Sequence, residues 1–304
     1  MVSLNKDAGS LEDQPLFRVI SFYELIDILE KMRLRFARID TMDDPNEAIT
    51  AVLDSELAAA YVGNDFNPLE TDKRHKAIMR AVYINCWTRE PENIAVWSIY
   101  SPNKDRVMVR TSTGKLKAAL DDLDERSLGL REEIFLKNKD VSSVHYVNLH
   151  DLRERWSQKA EVMREALTKD RESGVFDGTG PAEATQLRRL RSDDLRTPYF
   201  KKDERYEYER EVRAVFQLKA RAEQAIDSPE IEDMGFVSSN ERPICEQDNV
   251  PEQIKIPISK HFIEEIVIDG RMSSWQREAI KSVLQKFDMR PKVSGSRAFS
   301  SLYE

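Results

Sequence analysis

The stretch Tyr206-Glu207-Tyr208-Glu209-Arg210-Glu211-Val212-Arg213-Ala214-Val215-Phe216 restricts the chain's folding more than any other. As a strand, its alternation puts Tyr206, Tyr208, Val212, Ala214 and Phe216 on one face. Glu207, Glu209, Glu211 and Arg213 fall on the other, and Arg210 is the exception. Residues two apart on a strand face stand about 7 Å from one another. Three carboxylates and one guanidinium would then run in a single line, and like charges that close need arginines, solvent or a ligand to hold them. Two readings stay open. Either this is a half-exposed strand with a salt-bridged face, or Glu209 and Glu211 point into a cleft, where they do chemistry or bind sugar hydroxyls.

The segments before it alternate between strand and helix signals. Leu16–Ile20 reads as a short strand interrupted by Arg18. Ser21 and Glu24 have capping-box spacing and open a helix with Phe22, Leu25, Ile26 and Leu29 as its apolar stripe. Leu34–Arg38 alternates like a strand, and Asp43-Asp44-Pro45-Asn46 is a turn. Helices are expected over Glu47–Tyr61 and Thr71–Met79. A strand is expected over Ala81–Thr88, a short helix carrying Trp97 over Ile94–Tyr100, a strand over Arg106–Arg110 and a helix over Lys115–Leu123.

Residues 124–200 are the most polar. They show a strand pattern at Val141–Val147, a charged helix over Leu149–Arg171 and a flexible glycine-bearing loop at Ser173–Pro181. This stretch reads as a polar, mainly helical insertion. Its basic run Arg188-Arg189-Leu190-Arg191 suits a solvated face or contact with a phosphate backbone. After an irregular acidic excursion over 221–249, Ile254–Ile258 is an edge strand, because Pro257 cannot donate to a ladder. Phe262–Ile268 is a buried strand. Ser273 and Gln276 cap a helix whose core face is Trp275, Ala279, Ile280, Val283, Leu284 and Phe287, and a last strand covers Arg290–Val293. The expected architecture is α+β: a mixed, curved or split β-sheet with packed helices, as one domain over 15–304 behind a flexible tail over 1–14.

Composition narrows the function classes. The chain has 304 residues, with 40% hydrophobic and 34% charged, and a net charge of −8. That describes a globular, slightly acidic chain and argues against a generally basic nucleic-acid binder. No apolar run reaches membrane-spanning length and the N-terminus lacks a signal-peptide pattern, so a cytoplasmic protein with reduced thiols is expected. His75, His145, His150 and His261 show no zinc spacing with cysteine. Asp43 and Asp44 alone offer too few oxygen ligands, so no metal is expected. Cys86 suits a small apolar packing role. Neither the dinucleotide-binding glycine fingerprint nor a phosphate-binding P-loop is present.

Several stretches together resemble one family. They are Leu16-Phe17-Arg18-Val19, Leu34-Arg35-Phe36-Ala37, Asp44-Pro45-Asn46-Glu47, Asn85-Cys86-Trp87-Thr88, Trp97-Ser98-Ile99-Tyr100, Tyr208-Glu209-Arg210-Glu211-Val212-Arg213 and Glu265-Ile266-Val267-Ile268-Asp269-Gly270. Their order and spacing resemble the bacterial domain-of-unknown-function family numbered twenty-nine seventy-one, over roughly residues 16 to 295. The chain departs from that pattern at Asp43, where the family usually has asparagine. It departs again at Trp87, often phenylalanine, and at Tyr206, often tryptophan. The layout further resembles the ADP-ribosyltransferase-like fold.

That resemblance implies NAD as substrate and a protein or nucleic-acid acceptor, in an intracellular toxin, phage-defence effector or regulator. It implies Glu209 and Glu211 as catalytic residues. Arg18 would hold the pyrophosphate or nicotinamide-ribose end, Thr88 would support the glutamate or ribose, and Trp87, Trp97 or Tyr100 would offer a stacking wall. Two alternatives remain: a non-catalytic recognition module with its glutamates locked by Arg213 and Arg210, and a metal-dependent hydrolase using Asp43 and Asp44.

Overall fold

Leu16 and Ile20 bury against the main core while Phe17 and Val19 pack on the opposite side, so Pro15–Ser21 forms a strand covered on both faces, β1. The structure, a computed structural model, describes residues 13–44, 46–47, 49, 53, 76–173, 199–221, 241–242, 244, 246–287 and 291–299. Ser21 then caps α1, Phe22–Lys31, by accepting from the Glu24 N–H, and Leu25, Ile28 and Leu29 form its buried stripe. Met32, in the left-handed region at φ 51°, ends the helix and turns the chain into β2, Arg33–Arg38.

The remaining strands are β3 (Val82–Thr88), β4 (Arg106–Ser112), β5 (Ile134–Ser143), β6 (His145–Val147), β7 (Lys201–Asp203), β8 (Glu211–Arg221), β9 (Glu241–Arg242), β10 (Gln253–Pro257), β11 (Glu265–Ile268) and β12 (Lys292–Gly295). Helices α2 (Ile94–Tyr100), α3 (Thr113–Asp121), α4 (Leu149–Ser173) and α5 (Ser274–Leu284) complete the described elements. Among the described residues ten strands form one mixed sheet. A path β10-β2-β3-β1-β4-β11-β12 is joined by β8, which pairs with β3, β5 and β9. Only β11 and β12 run parallel within it.

The sheet is split at β3. One edge of β3 pairs with β8 over seven residues, from Val82↔Gln217 to Thr88↔Glu211. The other edge is shared. Tyr83 and Ile84 pair with β2, whereas Thr88 pairs with Phe17 of β1. Between these points β1 and β2 part, and the side-chain amide of Asn85 bridges part of the gap by donating to the Arg35 carbonyl at 2.8 Å. The α+β class with a split, mixed sheet is therefore observed. Pro257 lies on an edge strand, as expected, because β10 is the last strand on its side of the path.

Several expectations are corrected. The strand expected over 206–216 starts only at Glu211. Residues Glu204–Glu209 form a 3-10 helix capped by Asp203, and Arg210 turns the chain at φ 42°. Within 124–200, the stretch before the charged helix α4 contributes a sheet strand, since β5 pairs with β8 along its length. Trp275 is 71% exposed, and Ala279 is exposed too. The core side of α5 is Ile280 and Leu284, with Phe287 packed beside them. Most of the helices expected at Glu47–Tyr61 and Thr71–Met79 lie outside the described residues. So do the glycine-bearing loop, the basic run 188–191, Cys245 and most of the N-terminal tail. Among the described residues no helix is long and apolar enough to cross a membrane.

Candidate active site

The split in the sheet opens into a cavity of about 270 Å³. Phe17, Arg18 and Val19 of β1, Arg35 of β2, and Cys86, Trp87 and Thr88 of β3 line it, together with Glu24, Glu47, Tyr100, Arg106, Lys202, Glu209 and Glu211. The six residues singled out from the sequence, Arg18, Trp87, Thr88, Tyr100, Glu209 and Glu211, therefore meet at one cavity. Four carboxylates face four cations there, and the two signs are not evenly mixed.

One end is built on the start of β8. Glu211 is the first residue of that strand and faces inward with Arg213, both almost fully buried. The Arg213 guanidinium donates to Glu211 at 2.7 Å and to Glu47 at 2.9 Å, and also to the Tyr199 carbonyl. Lys202 enters from β7, which lies beside β6 with Tyr146 and Lys202 in register. Its ammonium stands 2.8 Å from Glu209, 3.3 Å from Glu211 and 3.8 Å from Glu47, and 4.5 Å from the centre of the Tyr206 ring. The Tyr100 hydroxyl donates to the other Glu209 oxygen at 2.6 Å.

These contacts set the proton affinities. Burial alone would raise Glu211, but the Arg213 guanidinium and the Lys202 ammonium outweigh it and hold its carboxyl at about 2. Burial raises Glu47 above the ordinary carboxylate value, and Arg213 only partly offsets it. Burial opposes the charge on Lys202, yet Glu211 and Glu209 outweigh it and raise its pKa. Burial, with Glu209 beside it, pushes the Tyr100 phenol up. Burial and Glu211 likewise push the Cys86 thiol up, so Cys86 is no activated nucleophile.

The other end is cationic. Arg18 and Arg35 both face the single carboxylate of Glu24, at 3.4 and 3.6 Å. Arg18 thus pairs with α1 and not with a central-strand glutamate. Arg210 pairs with Glu90 at 3.0 Å and locks neither Glu209 nor Glu211.

No family model and no curated protein match the chain, so the family resemblance rests on its motifs alone. Among solved structures, it is similar to Thermus sp. 2.9 DarT in complex with NAD+, at 14% identity and TM-score 0.32, covering 95% of this chain and 98% of that one. The same protein in complex with ADP-ribosylated ssDNA gives 12% identity and TM-score 0.33, covering 94% of each chain. Overlap this loose assigns nothing to the present chain.

The side chains differ from their expected roles in two places. Trp87 is 3% exposed and lies on the opposite face of β3 from Cys86 and Thr88. Its ring meets Phe262 edge-on at 5.9 Å and packs in the main core. Trp97 is wholly buried. The Thr88 hydroxyl donates to the Glu209 carbonyl and accepts from the Glu90 N–H, bracing the turn that presents Glu209. Lys202 was missed. Two lysines seven and eight residues before Glu209 carry no spacing signal, and only the β6–β7 pairing brings one of them to the acids. Glu47 sat inside a recognised turn motif, but its pairing with Arg213 spans 166 residues. Asp44 accepts from the Asn46 N–H as a turn residue. Among the described residues no group of three or more His, Cys, Asp or Glu is arranged to hold a metal.

Proposed function

We propose that the protein uses NAD in this cavity, transferring ADP-ribose to a protein or nucleic-acid acceptor or, when water replaces the acceptor, cleaving NAD. The observation that supports this reading is the convergence of Arg18, Thr88, Tyr100, Glu209 and Glu211 on one cavity from four separate segments. Its volume is slightly below the range of about 300–1,000 Å³ usual for ligand sites, which suits one end of a dinucleotide.

Breaking the nicotinamide–ribose bond sends the bonding pair out with nicotinamide and leaves positive charge on the ribose. A fixed carboxylate beside that carbon lowers the barrier. Glu211 suits this role, since a carboxyl held at about 2 is ionised at any working pH and is too weak a base for much else. Glu209, held by Tyr100 and Lys202, takes the proton of the attacking acceptor. Arg18 holds the diphosphate by charge-assisted hydrogen bonds, and Thr88 keeps the Glu209 turn in place.

Nicotinamide release from NAD, followed by proton NMR with Glu209→Gln and Glu211→Gln alongside, tests this. Release that either substitution abolishes in a folded protein supports the reading. A second reading, a non-catalytic recognition module, is favoured by one observation: both oxygens of Glu211 are already held by Arg213. No release and no NAD-induced rise in melting temperature, with cell lysate and RNA supplied as acceptors, would decide for it.

A further inference from the structure

We propose that Arg35 joins Arg18 as the second arm of a diphosphate-binding subsite, with Glu24 positioning both guanidiniums. The identity of the whole ligand rests on the NAD reading above; the anion subsite does not.

Arg18 and Arg35 come from β1 and β2, which are not neighbours. Both flank the gap where β3 passes from pairing with β2 at Tyr83 and Ile84 to pairing with β1 at Thr88. Glu24, in the first turn of α1, reaches across and faces both guanidiniums. Its contacts of 3.4 and 3.6 Å are ion-pair distances, longer than a charged hydrogen bond. Arg18 Nη1 is buried and has no hydrogen-bond partner among the described residues. A buried donor without a partner is unfavourable, so this atom calls for an acceptor.

The charge count points the same way. Two guanidiniums share one carboxylate, and Arg106, opposite Ser21 in register, adds a third to the cavity lining. A surface ion pair alone would explain Arg35, which is 38% exposed at its side chain, but it would not explain the orphan donor of Arg18. Paired guanidinium forks bind the oxygens of a diphosphate, where two adjacent anionic groups meet two arms. The far end has the opposite surplus: Glu47, Glu209 and Glu211 against Lys202 and Arg213. A diphosphate at the arginine end therefore points the attached sugar toward the glutamates.

Calorimetric titration of the full chain with inorganic pyrophosphate and with ADP-ribose tests the subsite. Arg35→Ala is expected to weaken both by about tenfold to a hundredfold, the worth of a charged hydrogen bond. Arg35→Lys recovers part of the loss, and phosphate-free nicotinamide riboside binds both proteins alike. If Arg35→Ala unfolds, Arg35→Gln keeps the stem and gives the same reading. Unchanged affinity for both phosphates in a folded Arg35 variant overturns the inference, as does wild-type protein that binds neither. Pyrophosphate binding that depends on Arg35, without nicotinamide release, keeps the subsite and sinks the NAD reading. Release with Arg35-independent binding does the reverse.

Discussion

The Lys202 ammonium stands 2.8 Å from Glu209 and 3.3 Å from Glu211, bridging two acids that lie two residues apart in the chain. Arg213 holds Glu211 from the other side, at 2.7 Å. The acids are thus held close together, although their mutual repulsion opposes it.

Removing that bridge should be costly. Lys202→Met leaves Glu47 and Glu211 with Arg213 as their cation and Glu209 with the Tyr100 hydroxyl, and a stability loss on the order of 3–5 kcal/mol is expected for an uncompensated buried charge. Lys202→Arg should retain most of the stability. Urea unfolding at neutral pH measures both, and a Met variant as stable as wild type would show that the bridge contributes nothing.

The pH dependence follows from Glu211. Its folded pKa of about 2 lies below the ordinary 4.5, so the stability it contributes is fully present above about 4.5 and is lost as pH falls through 2. The size is on the order of 3 kcal/mol. Glu47 is shifted upward, so its contribution has the opposite sign and favours the folded state as pH falls. Glu211→Gln should therefore flatten the acid limb of a stability-versus-pH curve between about 4.5 and 2. An unaltered limb would remove Glu211 as its source.

Tyr100→Phe deletes the hydroxyl that donates to Glu209. The stability change should stay below about 1.5 kcal/mol, the worth of one hydrogen bond. Nicotinamide release should fall by about tenfold, because Glu209 loses a charge-assisted partner. Steady-state rates and a thermal melt of the same preparation separate the two effects.

Gly270 is required by a close approach and not by its backbone angles. An added Cβ would lie 2.8 Å from the Ser296 carbonyl oxygen, and the Ser296 N–H is itself tied to Ile268 at 2.8 Å. Backbone on one side cannot give way as a side-chain tip would. Gly270→Ala should cost roughly 1–3 kcal/mol in stability, with nicotinamide release per folded molecule unchanged. A melting temperature equal to wild type would contradict the close contact.

Local signals carried much of the fold. The Ser21 cap and the Leu25–Leu29 stripe specify α1, the Ser273–Gln276 box specifies the start of α5, and Pro257 marks an edge strand. These depend on interactions within a few residues, so periodicity and capping chemistry suffice to read them. Trp275 fails the same logic: its position fits the apolar stripe, but among the described residues no neighbouring element covers it.

The candidate residues Arg18, Thr88, Tyr100, Glu209 and Glu211 were legible because their motifs recur in order along the chain. Their arrangement was not. An alternating pattern cannot reveal that Arg210 leaves the strand at φ 42°, placing Glu209 in a 3-10 turn and Glu211 on β8. Nor can it reveal Trp87's burial against Phe262, or the roles of Lys202, Glu47 and Arg35. The amino-acid sequence determined which segments become strands and helices and supplied the acids and bases. Tertiary structure alone decided which charges meet, because the cavity's ion pairs join residues as far apart as Glu47 and Arg213, 166 positions, and no local periodicity encodes that distance.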